Sequence, residues 1–205
     1  MANYCKYYKQ QRYVSYDNGI TWQALEEYRK GALIQSGMTE GCEEPIPTNA
    51  KFISYLTDGR VLSAECDSNS TLTSSEITYK PSIANAIIGD CVTKIGQMTY
   101  RQCTKLTSVT LPSSLTEIGY EAFNVCSGLT NITIPSNVTI IADYAFNQCS
   151  SLTSITLEAT TPPAIGSGAF NNTNNCPIYV PSGSVETYKR NGNWITYASR
   201  IQAIP

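Results

Sequence analysis

Histidine is absent from all 205 residues. That removes Ser-His-Asp and Cys-His catalysis, together with every zinc site built on imidazole. Charge is scarce too. Only 15% of residues are charged and the net charge is −2, which gives no electrostatic case for nucleic acid or an anionic membrane as partner. From residue 81 onward there are six basic and six acidic side chains, so that part is neutral and its polar surface is Ser, Thr and Asn. No run of 18 apolar residues occurs, and no membrane insertion is expected. The first ten residues, MANYCKYYKQ, lack the apolar core of a secretory signal. The expectation is a cytoplasmic or virion-borne chain, or an exported one whose signal has been trimmed. The eight cysteines include no CxxC pair, so a metal reading is weak and no cofactor is expected.

What the chain does hold is one unit written four times between Val92 and Tyr179. An apolar residue recurs at Ile95, Ile118, Ile141 and Ile165, followed five residues later by an aromatic at Tyr100, Phe123, Phe146 and Phe170. The spacings are 23, 23 and 24 residues. Cysteines follow at Cys103, Cys126 and Cys149, then leucines at Leu106, Leu129 and Leu152, then the pairs Val109/Leu111, Ile132/Ile134 and Ile155/Leu157. A fixed period of this length marks a solenoid, in which no unit buries its apolar face alone. Val109-Thr110-Leu111 alternates with a period of two, the pattern of a strand with one buried face. Leu115/Ile118 and Val138/Ile141 form a second edge, and the helix-compatible IGxxAF stretch turns the chain and buries the aromatic. Three cysteines at one repeat position read as a column of reduced, buried thiols. The expected fold is therefore mainly β with short helical turns, a solenoid of about four 23-residue units preceded by a small β-hairpin module.

Residues 1–44 form the small module. They hold Tyr4, Tyr7, Tyr8, Tyr13 and Trp22, which read equally as the module's own small core or as a candidate assembly surface, and Asp17-Asn18-Gly19 suits a tight hairpin. So short a module has little core, so it leans on a Cys5–Cys42 bridge, on the solenoid or on copies of itself. Residues 45–50, with Pro45 and Pro47, read as a linker, and 51–80 as a hairpin that begins the N-terminal cap. AIIGDCVTKIG (Ala86 to Gly96) matches VTLPSSLTEIG (Val109 to Gly119), so stacking starts with a truncated unit. The solenoid spans 81–181. In its last unit Pro162-Pro163 replaces the second edge. Residues 182–205 cap it, with a short helix over Ser182 to Arg190 and with Trp194, Ile195 and Ile201.

Units reading LTSITLPxSVTxIGxxAFxxCSS resemble the BspA-type, or Treponema pallidum-type, leucine-rich repeats of bacteria over residues 81 to about 205, with SSLTSITL (Ser150 to Leu157) and ADYAFNQC (Ala142 to Cys149) near the consensus. The resemblance implies a right-handed curved solenoid found on the surfaces of host-associated bacteria, with adhesion and protein or glycan binding as its roles. SYDNGITW (Ser15 to Trp22) is similar to the Asp-box of sialidases, which implies a hairpin staple and no enzyme. Residues 1–44 are also similar to small modules of Bacteroidetes surface and phage-related proteins.

The leading reading is a non-catalytic binding or interaction module, extracellular or at a cell surface. A phage virion structural or receptor-binding accessory protein anchored through residues 1–44 is the alternative, and an enzyme is the third reading. The candidate binding face consists of two outward columns, Ser108/Asn131/Ser154 and Thr110/Thr133/Thr156, a hydroxyl and amide lattice that suits a glycan or a protein backbone; the other reading is that Thr and Ser simply suit an exposed sheet face. Residues 1–44 are expected to carry attachment, including a homo-oligomer. The carboxylate pair Glu117/Glu121 is read as solvated.

Overall fold

A computed structural model describes residues 50–57, 61–66, 70–78 and 80–205, and residues 4–8, 11–15 and 23–24 as backbone. In the first module, strands β1 (Tyr4–Tyr8), β2 (Gln11–Ser15) and β3 (Gln23–Ala24) pair antiparallel in that order. The segment holding Asp17-Asn18-Gly19 thus joins two antiparallel strands. The turn itself, Cys42 and most of the expected linker lie outside the described residues.

The repeats form a solenoid of three-sided coils. One side is a sheet in which β11 (Asn131–Ile134), β13 (Ser154–Leu157), β15 (Ile178–Val180) and β16 (Ile201–Ala203) run parallel, Ile132 beside Ile155, and Ile155 beside Ile178, which in turn lies beside Ile201. The alternation buries Ile132, Ile155, Ile178 and Ile201 and turns their neighbours outward. The second side is a ladder of two-residue strands: β6 (Thr71–Leu72), β8 (Lys94–Ile95), β10 (Glu117–Ile118), β12 (Ile140–Ile141) and β14 (Ala164–Ile165). The ladder begins at Leu72, before the boundary drawn at residue 81, because Leu72 already pairs with Ile95. It also continues through the last unit. Ala164–Ile165 pairs with Ile140–Ile141, so Pro162-Pro163 precedes the second edge and does not replace it.

The third side differs from the helical turn expected from IGxxAF. Its hydrogen bonds run between coils. Glu121, Phe123 and Val125 donate their N–H groups to the carbonyls of Asp143, Ala145 and Asn147, and Tyr144, Phe146 and Gln148 repeat the pattern one coil later. Overlapping turns, such as Ala122 N–H to Gly119 C=O, link the same residues locally. The geometry places two left-handed residues in each of three coils, Met98 and Gln102, Glu121 and Val125, Tyr144 and Gln148, and the last coil has Gly168 and Asn172 in the same positions with Asn174 and Asn175 besides. Each non-glycine in that region costs about 1–2 kcal/mol, and the β-branched Val125 (φ 62°) is the least suited. Pairing with the neighbouring coil holds it there. The corner before these turns is crowded as well. A Cβ at Gly119 would lie 2.7 Å from the Ile95 carbonyl oxygen, so glycine stands there for the close approach of two backbones.

Inside, the repeat columns stack. Tyr100, Phe123, Phe146 and Phe170 place their ring centroids 5.3, 5.1 and 5.5 Å apart with nearly parallel planes. Cys103, Cys126 and Cys149 are free and buried beside them. The Cys126 thiol donates to the Tyr100 carbonyl at 3.1 Å and Cys149 to Phe123 at 3.2 Å. Burial, reinforced by the two neighbouring thiols, pushes the Cys126 pKa well up, which makes it inert. In the last coil Thr173 takes the cysteine position, its hydroxyl donating to the Phe170 carbonyl. Cys176 takes the leucine position and is also free and buried.

Both ends are closed. At the C-terminus the helix α1 (Val185–Arg190) follows a 3-10 turn at Ser182–Ser184, and Ser184 precedes it without a side-chain cap bond. Trp194 and Tyr197 cover the Phe170 ring, at 6.1 and 5.7 Å between centroids. The Phe170 N–H, which has no further coil to meet, donates to the Tyr197 hydroxyl at 3.2 Å. Arg200 donates to the Cys176 carbonyl and the Thr173 hydroxyl. Ile201 is buried, but Ile195 is 59% exposed and takes no part in the cap core.

At the N-terminus β4 (Ala50–Leu56) pairs antiparallel with both β5 (Val61–Glu65) and β7 (Ile83–Ile88), and β7 then passes to the parallel β9 (Ser108–Thr110). A disulfide joins Cys66 to Cys91, tying this hairpin to the truncated unit. Lys51 is fully buried and its ammonium meets the Glu76 carboxylate at 2.8 Å. Burial raises the Glu76 pKa, but the Lys51 ammonium and the Thr73 hydroxyl and N–H outweigh it and hold the group below its ordinary value.

Because the folded pKa is depressed, the ionised Glu76 adds stability above the unfolded value near 4.5, and that stability is lost as pH falls through the folded pKa. Glu76→Gln should cost about 2–3 kcal/mol at pH 7, short of a fully buried pair. Urea titrations of both proteins should converge as the pH falls from the unfolded value through the lowered folded pKa of Glu76. A gap that stays constant down to pH 2 would contradict this role.

Candidate binding face

The two outward columns occupy the sheet face as the alternation requires. Asn131 lies beside Ser154 and Thr133 beside Thr156, while Ser108 and Thr110 lie on β9 one coil earlier. Ser108, Thr110, Asn131 and Thr133 are exposed, and Ser154 and Thr156 are half-buried. The Thr column runs on in register to Tyr179 and Gln202 and back to the exposed Ile87.

Hydroxyls on this solenoid divide into two kinds. Thr107, Thr130 and Thr153 donate to the carbonyls of Ala84, Thr107 and Thr130, one coil back in each case. Thr116 and Thr139 do the same toward Thr93 and Thr116. These columns stitch the coils together. By contrast, the Thr110, Thr133, Thr156 and Ser154 hydroxyls meet no partner among the described residues. Ser108 donates to Asn85 at 2.7 Å, and Asn131 leaves its amide oxygen unengaged while its nitrogen meets Thr130. The periodicity of threonine is visible in the sequence. Which columns are already bonded is decided by whether a side chain leans toward the preceding coil.

The face is not uniform. The ladder is interrupted between β9 and β11, which fall into separate sheets. A hollow of about 400 Å³ opens there, lined by Ser108, Thr110, Ser113, Asn131, Thr133 and Glu158 among others. A second, of about 470 Å³, adjoins it through the shared Glu158 and is walled by Ser136, Thr160, Thr161 and Pro162. Its wall is the segment after β13, where the last unit carries its extra residue. Leu157 pairs with Ile134 and Ile165 with Ile141, so one residue more separates the two edges here than in the coil before.

Other candidate groups are placed elsewhere. Tyr4, Tyr7 and Tyr8 lie on β1 and Tyr13 on β2, but their side chains, and Trp22 altogether, lie outside the described residues. Glu117 pairs with Lys94 at 3.1 Å. Glu121 is not solvated as expected: its side chain is 14% exposed and pairs with Arg101 at 2.8 Å. Among the described residues no group of three His, Cys, Asp or Glu is placed to hold a metal ion, and no helix is long and apolar enough to cross a membrane.

Comparison with known proteins follows the same geometry. The family described as BspA type leucine rich repeat region matches residues 71–191 in 6 copies. No curated protein matches the chain. Among solved structures, a leucine-rich repeat protein from Bacteroides ovatus is similar at 27% identity with a TM-score of 0.45. The match covers 61% of this chain and 31% of that one, so the chain spans about a third of its length.

The two kinds of hydroxyl should separate on substitution. Thr130→Val should lose about 1 kcal/mol, the usual worth of one hydrogen bond. Thr133→Val should stay within about 0.5 kcal/mol of wild type, as surface changes do. Equal losses in thermal denaturation would show that both threonines are structural.

Proposed function

Because the chain belongs to the BspA-type leucine-rich repeat family, we propose that it is a non-catalytic adhesion or interaction module that works outside the cell and presents its sheet face to a protein or glycan. The single observation that carries this reading is the division of hydroxyls: the stitching columns are saturated, while the Thr110/Thr133/Thr156 column points outward with its hydrogen-bonding capacity intact. Threonine suits an exposed strand face by β propensity alone, so the support lies in this column being left unbonded beside columns that are saturated. The Cys66–Cys91 disulfide supports an oxidising compartment. Residues 1–44, rich in tyrosine, are the attachment or self-association element in this reading.

The test is binding of fluorescently labelled protein to intact cells. Saturable binding to animal epithelial cells is expected, reduced at least tenfold by Thr110→Lys combined with Thr133→Lys, which plants charge and bulk on the face without touching the core. Binding to bacterial cells alone would favour a virion receptor-binding role. Binding to neither would remove the proposal.

A further inference from the structure

Resting on that reading, we infer that the paired hollows around Glu158 form a saccharide site that takes an uncharged oligosaccharide. The two hollows share Glu158 in their walls: the first lies where the ladder is broken between β9 and β11, the second between the segments 136–139 and 158–163, and we treat the pair as one trough with Glu158 at its centre. The segment from Glu158 to Pro163, which carries the extra residue of the last unit, walls the second hollow; the Glu158 N–H is anchored to the Ile134 carbonyl at 3.0 Å, and the Ala159 and Pro163 carbonyls accept from the Tyr188 hydroxyl and the Trp194 indole N–H of the cap.

Its chemistry selects the ligand. The hydroxyls of Thr110, Ser113, Thr133, Ser136, Thr160 and Thr161 all line it, and none is engaged by another described residue. Each offers one donor and two acceptor positions, the complement of a polyol whose every hydroxyl both donates and accepts. Glu158 adds an acceptor-only group able to receive two adjacent hydroxyls. The half-buried Pro162 supplies a small apolar patch for the C–H face of a sugar ring. No Lys or Arg lines either hollow, so an anionic glycan would bring its charge to the Glu158 carboxylate without compensation. A protein partner fits less well, because the energetic centres of protein interfaces are Trp, Tyr and Arg in closed apolar pockets, with Ser and Thr under-represented, and this trough has the opposite composition.

The experiment is an array of immobilised neutral gluco-, galacto-, manno- and xylo-oligosaccharides, with sialylated and sulfated counterparts, probed with the full chain. The strongest neutral hit is then titrated by calorimetry. Thr110→Val with Thr133→Val, which removes two hydroxyls at constant shape, should weaken binding at least tenfold, and Glu158→Gln should weaken it while relaxing the discrimination against anionic glycans. Thr104→Val, an exposed position in the lining of neither hollow, should leave affinity within twofold. Preference for sialylated or sulfated ligands would overturn the inference, as would unchanged affinity in the double variant, which puts the sugar elsewhere. If no oligosaccharide binds but cell binding persists and the double valine variant abolishes it, the trough belongs to a protein. The saccharide assignment then falls while the proposed function stands.

Discussion

Everything in this solenoid depends on one register: the aromatic rings of Tyr100, Phe123, Phe146 and Phe170 lie one above another at 5.1–5.5 Å. That distance is close to the roughly 4.8 Å between paired strands, so a single ring per coil fills the space between adjacent coils without a gap. The rings fix the turns that carry them. Phe123 and Phe146 sit between left-handed residues on either side, and their own N–H groups bond to the following coil. The strain of Glu121 and Val125 is thus held by burial of a ring and by three inter-coil hydrogen bonds per turn. The cost of left-handed backbone on one side is offset by core packing on another.

The sequence shows this core well, because a solenoid writes its contacts as spacings. Ile118 beside Ile141 and Ile132 beside Ile155 follow directly from a period of 23. Conformation within the turn was less legible. IGxxAF has the composition of a helix start, and neither Glu121 nor Val125 carries the glycine or asparagine that would signal positive φ. Only the last coil does, at Gly168 and Asn172. The early start of the ladder was hidden because the coil around Leu72 lacks both the aromatic and the cysteine, with Ile77 and Lys80 at those positions. Lys51 and Glu76, distant in sequence, gave no pattern at all.

The candidate site was half legible for a related reason. Columns such as Thr110/Thr133/Thr156 repeat and can be read. The trough beside them lies at a departure from the repeat, the extra residue before Ile165, and at an interruption between β9 and β11 that no residue type announces. Regularity builds the scaffold, and irregularity shapes the place where a ligand can be held. The caps follow the same division: Tyr197 supplies to Phe170 the acceptor that a further coil would have given, so the repeat can stop without leaving its turn unpaired.

The most direct test of the aromatic register is the stability of Phe123→Ala and Phe146→Ala. Each ring lies between two others, so no neighbour can collapse into the space left behind. Equilibrium denaturation should show a loss of about 3–5 kcal/mol for either variant, the range for emptying a core aromatic position. The fluorescence and circular dichroism transitions should remain coincident. A midpoint and slope unchanged from wild type would mean that the rings do not hold the coils in register.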